Sequence, residues 1–472
     1  MNESDPRTIV PTRGLGPVSA FSIVVGSVLA TGIFIQTRVV LCNVSTPLMT
    51  MAVWVFGGLL SLAGALTYAE LATMMPRNGG EYVFLREAYG PMWGFLYGWM
   101  RFFIANSGGQ AALVVAFTIF LNTLTGGQFD VTFFSFEVFG YPLRFGTLQI
   151  TALAVIAVAT LINCAAVSAN GRVAAVIALV KIALVVGLGA FVLIFARGDW
   201  AHMTMPNSGG LCEGVDKTAG QGFYGFGAAT LATLWAYNGW YGLTLVAGEV
   251  QEPRKNIPRA LVGGMAVVIV LYVFLNLIYF YILTPVEIVS VTADSSVATT
   301  AAGKFLGDAG AKVTAAALAV SSFGALHAGI MTNSRLPYAM ARDGLFFRSY
   351  ARLSPRTRVP VKALLMQAQW TSVLAVAASL TSITDYVMFA TWIFFGLGVA
   401  SVFVLRRKMP DAERPFRTWG YPVVPAFFVA GAGWLLVNTL LTQPRQSLVG
   451  LGLLAMGFPV YWFWSRSHRG GI

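Results

Sequence analysis

Charge is scarce in this sequence. Asp, Glu, Lys and Arg make up 11% of the 472 residues, less than half the roughly 25% usual for soluble domains, and this excludes a water-soluble enzyme. No acid–base pair of the kind such an enzyme uses stands out, and no cofactor is expected. Cysteine is nearly absent: Cys42, Cys164 and Cys212 are scattered without metal-ligand spacing, so neither a metal nor a disulfide is expected, and Cys164 reads as a small apolar group inside an apolar run. Strict apolar–polar alternation is also missing, as in the stretch from Ala152 to Ile162, which excludes a transmembrane β-barrel. The polar start leads into a long apolar run rather than a short one with a cleavage site, so the first span is expected to direct insertion itself.

What the sequence has is apolar runs of membrane-crossing length. They fall at 18–42, 48–74, 91–123, 147–167, 172–196, 222–249, 259–284, 311–341, 361–380, 384–405, 421–441 and 446–464. The expected fold class is an all-α polytopic membrane protein with 12 transmembrane helices: a tail at 1–17, a ten-helix core at 18–405, then a loop, two more spans and a tail at 406–472. The net charge of +12 would suggest nucleic acid in a soluble chain, but its distribution is topological. With both ends on one side, 21 of the 31 Lys and Arg lie on that side and six, including Lys217, on the other. The positive-inside rule then predicts a multi-pass protein of the cell membrane with cytoplasmic termini, its basic loops beside anionic lipid rather than nucleic acid.

Span 1 carries Gly26-Ser27-Val28-Leu29-Ala30-Thr31-Gly32, and span 6 carries Trp235-Ala236-Tyr237-Asn238-Gly239-Trp240-Tyr241-Gly242. Both stretches weaken helix continuity halfway across the membrane. Matching interruptions five spans apart predict two five-span repeats, at 18–196 and 222–405, with a binding site between the breaks, because unwound backbone at that depth survives only where it lines a cavity. The half-helix starting near Thr31 and Gly32 offers N–H groups to a carboxylate. Carbonyls at Val28, Trp235, Ala236 and Asn238 are expected to face an ammonium, and a zwitterionic α-amino acid meets both demands.

The stretches GSVLATGIFI at 26–35, YAELATMMPRNGGEYVFLREAYG at 68–90, WAYNGWYGLTLVAGEVQEPRKNIPRAL at 235–261, SRLPYAMARDG at 334–344 and ERPFRTWGYPVVP at 413–425 resemble the amino acid-polyamine-organocation permeases, in particular their L-type amino acid transporter branch. The resemblance implies an inverted-repeat fold with alternating access. It places Val28, Thr31, Gly32, Trp235, Ala236 and Asn238 at the substrate, with Trp235 where the family has an aromatic gate. Ala30 departs from the usual glycine, Gln36-Thr37-Arg38 from a stretch that often holds proline, and Asn238 from a small residue. Neutral amino acids are the expected substrates, with Arg38 leaving an acidic side chain open. Animal relatives bind a heavy chain through a cysteine between spans 3 and 4; residues 124–146 contain none, so no disulfide-linked heavy chain is expected.

Charges inside the spans need partners. Lys181 is expected near the midplane, and the resemblance places it beside spans 1 and 8, where sodium-coupled relatives hold a cation; its ammonium is expected to bond span-1 carbonyls and Ser321 or Ser322. The implied transport is sodium-independent, either exchange or proton symport. His327 is a possible proton site, though packing is its stronger reading. Arg101 and Arg335 are expected to serve structure, Glu70 and Glu249 to serve gate networks, and the face from Asn106 to Gln110 to form a pocket wall. A cationic amino acid or polyamine carrier would want an acidic residue near the breaks, and none is obvious. An ion channel would show a repeated filter or charged ring.

Overall fold

The computed structural model describes residues 11–138, 141–206, 209–215, 222–292, 295–377 and 380–469. Lys217 and the first ten residues of the tail lie outside them. The helices, in chain order, are α1 (Pro17–Val28), α2 (Gly32–Val44), α3 (Pro47–Met74), α4 (Glu81–Tyr89), α5 (Pro91–Met100), α6 (Ser107–Leu124), α7 (Thr147–Asn163), α8 (Val167–Phe195), α9 (Phe223–Ala236), α10 (Gly242–Leu245), α11 (Pro253–Ile282), α12 (Pro285–Val289), α13 (Val297–Asn333), α14 (Arg335–Arg342), α15 (Val361–Ala377), α16 (Leu380–Lys408), α17 (Val423–Thr442), α18 (Pro444–Ala455) and α19 (Gly457–Arg469). Several begin with proline, which fits the first turn because its missing N–H would have no partner there. Thr46 caps α3 by accepting from Met49 N at 3.3 Å. A π-helical turn, Arg101–Asn106, joins α5 to α6, so these two helices form one span.

Among the described residues eight helices are long and apolar enough to cross a membrane, nine when α1 and α2 count as one span bent by 41°. The twelve expected spans are therefore not all of that kind. The runs at 147–167 and 361–380 become helices of 17 residues, and the run at 222–249 breaks after Ala236 and resumes only as the short α10. The expectation of an all-α chain also meets one exception. Between α6 and α7, β1 (Thr132–Val138) pairs antiparallel with β2 (Tyr141–Gly146), with Ser135 opposite Arg144. The local reason is a run of aromatic and β-branched residues, Thr132-Phe133-Phe134, in a segment too short and too polar to span.

The expectation of no disulfide is overturned. Cys42, in the last turn of α2, is bonded to Cys212, 170 positions later. Spacing alone cannot reveal such a pair, because the fold makes the proximity. The loop carrying Cys212 is held in two further places: Arg38 Nη1 donates to Glu213 O at 2.6 Å, and Cys212 N donates to Val289 O, at the end of α12, at 3.1 Å. Closing so long a loop removes much entropy from the unfolded chain. Replacing both residues, Cys42→Ser with Cys212→Ser, should lower the melting temperature of the detergent-purified protein by about 5 °C or more, measured by differential scanning fluorimetry without reductant.

Candidate functional site

The site is built on two places where the backbone leaves the helix. α1 ends at Val28, Leu29 takes φ −71° and ψ 73°, and helix resumes at Gly32. Gly26 thus lies inside α1 rather than at the break, and a Cβ there would meet Ala178 only at an ordinary 3.7 Å. Gly32 is different: a Cβ would sit 2.5 Å from Ala236 Cα, so only glycine lets the start of α2 touch the end of α9. The second break runs from Tyr237 to Tyr241. It turns at Gly239, whose φ of +115° disfavours any side chain, and a Cβ there would meet Ser27 O at 3.0 Å. The two breaks therefore lie against each other.

Backbone freed from a helix inside a membrane must be satisfied by other groups. Lys181, fully buried at the centre of the 29-residue α8, donates through Nζ to Gly26 O at 2.9 Å and Leu29 O at 2.8 Å. Ser321 Oγ also donates to Leu29 O, at 3.2 Å. The expected bond from Lys181 to Ser321 or Ser322 is not formed: Ser321 shares its acceptor, and Ser322 turns back to Leu318 O of its own helix at 2.8 Å. Tyr272 of α11 is the residue that sequence reasoning missed. Its hydroxyl lies 2.7 Å from Val28 O and 2.9 Å from Ala236 O, and its one proton joins the two breaks. The carbonyls expected to be free are thus partly engaged: Val28 O and Ala236 O by Tyr272, and Trp235 O by Asn238 N at 3.2 Å. Val28 O also accepts from Ala30 N at 2.7 Å, whereas Trp235 O and Ala236 O each keep a second lone pair. A tyrosine in a 30-residue apolar helix reads as packing; the only signal was its polar neighbour Asn276 one turn on, which accepts from Thr37 Oγ1 at 2.8 Å.

Between the breaks and the π-turn lies a cavity of about 110 Å³. Val28, Thr31, Gly32, Trp235, Ala236 and Asn238 all line it, as does the wall from Asn106 to Gln110 through Asn106, Gly109 and Gln110. Ser27, Tyr241 and Thr332 add polar groups that sequence reasoning had not placed there. Among the described residues, Ser27 Oγ, Asn106 Oδ1, Gln110 Nε2 and Asn238 Oδ1 are buried with no protein partner, and no Asp or Glu lines the cavity. Lys181 and Ser321 face a second, largely apolar cavity behind the break, with Phe34 and Leu188. His327 lines neither cavity; its Nδ1 is 2.9 Å from Asn163 Nδ2 and its Nε2 3.5 Å from Asn170 O. Arg38, held by Glu213 O, is absent from both linings as well.

Arg101, expected to serve structure, also lines the cavity. Along its span it is the lining residue nearest the end that joins α4, and Tyr241 and Gly242 are the corresponding residues past the second break. Arg101 Nη1 donates to the Tyr241 hydroxyl at 3.0 Å, with the guanidinium 4.1 Å from the Tyr241 ring centroid and 4.9 Å from that of Phe395. Its charge is balanced by Glu81 of α4 at 3.2 Å, a carboxylate that also accepts from the hydroxyls of Tyr68 at 2.7 Å and Tyr97. This cluster floors the cavity. Below it, Glu249 accepts from Arg335 Nε at 2.9 Å and Nη2 at 3.0 Å, the two nearly solvent-free, and from half-buried Asn78 Nδ2 at 2.9 Å. Glu70 accepts from Arg406 Nε at 2.9 Å and Nη2 at 2.8 Å and from Thr418 N at 2.7 Å.

A family model described as amino acid permease matches residues 15–463. The chain belongs to this family, within the amino acid-polyamine-organocation superfamily and similar to its L-type branch. It is 29% identical over 454 residues to the serine/threonine exchanger SteT of Bacillus subtilis (strain 168), covering 95% of this chain and 96% of that one. It is 30% identical over 467 residues to the large neutral amino acids transporter small subunit 2 of Mus musculus, covering 97% and 82%. Against the human cystine/glutamate transporter the identity is 28% over 452 residues, covering 95% and 85%. The permease is thus a multi-pass membrane transporter and not an enzyme, and the family implies an inverted-repeat arrangement of its spans.

The contact between the breaks sets a test. Gly32→Ala should lower amino acid exchange by the reconstituted permease about tenfold or more, because relief of a 2.5 Å overlap with backbone must separate α2 from α9. Gly26→Ala, with an ordinary contact, should lower it far less. Initial exchange rates per folded transporter measure both.

Proposed function

We propose that this permease is a sodium-independent carrier of neutral α-amino acids across the cell membrane, working by alternating access. The observation that carries the reading is the pair of apposed helix breaks, Leu29–Thr31 and Tyr237–Tyr241, bordering a polar cavity. The N-terminus of α2 suits a carboxylate, and the remaining lone pairs of Trp235 and Ala236 suit an ammonium. Neutral side chains follow from the charges. No lining carboxylate awaits a cationic substrate, Arg101 is already paired with Glu81, and Arg38 is spent on the outer loop. The names of two relatives, a serine/threonine exchanger and a large neutral amino acids transporter, agree.

In this reading the chain crosses the membrane twelve times, with repeats at 18–196 and 222–405 and both termini cytoplasmic. The bias of Lys and Arg supports that orientation. So does the bond between Cys42 and Cys212, since disulfides persist on the oxidising side. With these two cysteines joined to each other and none at 124–146, the permease works without a disulfide-linked heavy chain. Half-buried Trp235 closes the outer mouth, while Arg101–Tyr241 and Glu249–Arg335 close the inner side. Lys181 takes the place of a coupling cation. An ammonium that stays charged makes the protein an exchanger, and one that titrates couples it to protons; His327, with both ring nitrogens engaged, packs.

Uptake of labelled amino acids into proteoliposomes, with and without internal amino acid, sodium and a pH gradient, tests the whole reading. Transport should be indifferent to sodium, and strict sodium dependence would overturn it. Lys181→Ala should slow exchange or abolish its ion coupling while the protein remains folded. Trp235→Ala should reduce uptake without reducing the amount of protein inserted, as judged by gel filtration and quantitative blotting.

A further inference from the structure

Resting on the carrier reading, a narrower question is which neutral side chain the cavity is built to hold. The wall opposite the breaks decides it. Asn106 closes the π-helical turn and Gln110 lies one turn further along α6, so the two side chains share one face. Both are nearly solvent-free, at 6% and 2% exposure. Gln110 leaves one amide atom without a partner, the donor Nε2, and among the described residues Asn106 makes no side-chain hydrogen bond, with its acceptor Oδ1 fully buried. At its other end Gln110 Oε1 accepts from Thr371 Oγ1 at 3.1 Å, and Nε2 is the amide atom left without a partner. Space is kept on both flanks. A Cβ on Gly109 would meet nothing within 4 Å, and Gly329 on α13 leaves Gln110 Nε2 only 3.4 Å from where its own Cβ would lie.

We infer that the permease selects amino acids with a side-chain carboxamide, glutamine and asparagine, through Asn106 Oδ1 and Gln110 Nε2. A carboxamide carries a donor NH2 and an acceptor oxygen side by side, the complement of the unpaired acceptor and donor on this wall. Ser27 and Asn238, beside the breaks, are left for the charged ends of the substrate. An aliphatic side chain of the same length leaves both buried wall atoms unpaired, and each omission is expensive. A carboxylate brings a charge that no free lining cation balances, since Arg101 is already paired with Glu81. A hydroxyl is one atom and too short a reach to engage both partners at once.

The test compares near-isosteric substrates on the purified wild-type permease in proteoliposomes. Half-saturation for exchange should favour L-glutamine or L-asparagine over L-methionine and L-leucine by about tenfold or more, with L-glutamate and L-serine also weaker. In Gln110→Leu the glutamine-to-methionine ratio should fall to within about threefold, through a higher KM for glutamine. Methionine, leucine or serine at parity with both amides in the wild-type protein overturns the inference without touching the carrier reading, and needs no variant. An unchanged ratio in folded Gln110→Leu overturns it too. Failure to exchange any amino acid overturns the carrier reading and this one together.

Discussion

The structure turns on a demand that the bilayer makes of any interrupted helix: carbonyls no longer paired within the helix must find donors, and no water is at hand to provide them. Lys181 meets that demand at Gly26 and Leu29. Tyr272 meets it at Val28 and Ala236. The ammonium is itself expensive at that depth, and the stranded carbonyls are expensive as well; each is tolerable because of the other. This mutual dependence explains why a lysine can occupy the middle of α8 with no carboxylate beside it, whereas Arg101 and Arg335 each need one. It also explains how the chain can keep an opening in the centre of span 1 without losing the span.

From that opening the rest of the site follows in layers. The breaks supply oriented backbone, the π-turn and α6 supply an amide-bearing wall, and charge is confined to the floor. In the floor, buried pairs are costly to break because each would leave an uncompensated ion. Rearrangement there should therefore exchange partners rather than release them. Glu81, with two tyrosines and an arginine converging on it, has partners to spare.

Much of this is legible in the amino-acid order because the chemistry is local. Gly32 and Gly239 stand where a span ought to be continuous, and the charge of Lys181 has no business in an apolar run unless something receives it. Every substrate-facing residue expected from the two breaks lines the cavity. What escapes is what the fold brings together from afar. Cys42 and Cys212 are 170 residues apart. Tyr272 looks like any core aromatic until its hydroxyl is seen between two breaks, and Arg101 looks like a buried structural ion until its guanidinium is found under the cavity. The partner of Lys181 escapes for a finer reason: Ser321 is adjacent, as expected, but competes for the same carbonyl instead of receiving the ammonium. The strand pair is missed because a segment between spans carries no period long enough to read.

The loop that carries Cys212 has a mechanical meaning. It is riveted to α2 through sulfur, clasped again by Arg38 at Glu213, and sewn to the end of α12 through the backbone at Val289. Half of span 1 and the canopy over it consequently travel as a single raft. The unwound stretch from Leu29 to Thr31, beside which the lysine and the tyrosine hold the backbone, is what separates that raft from α1.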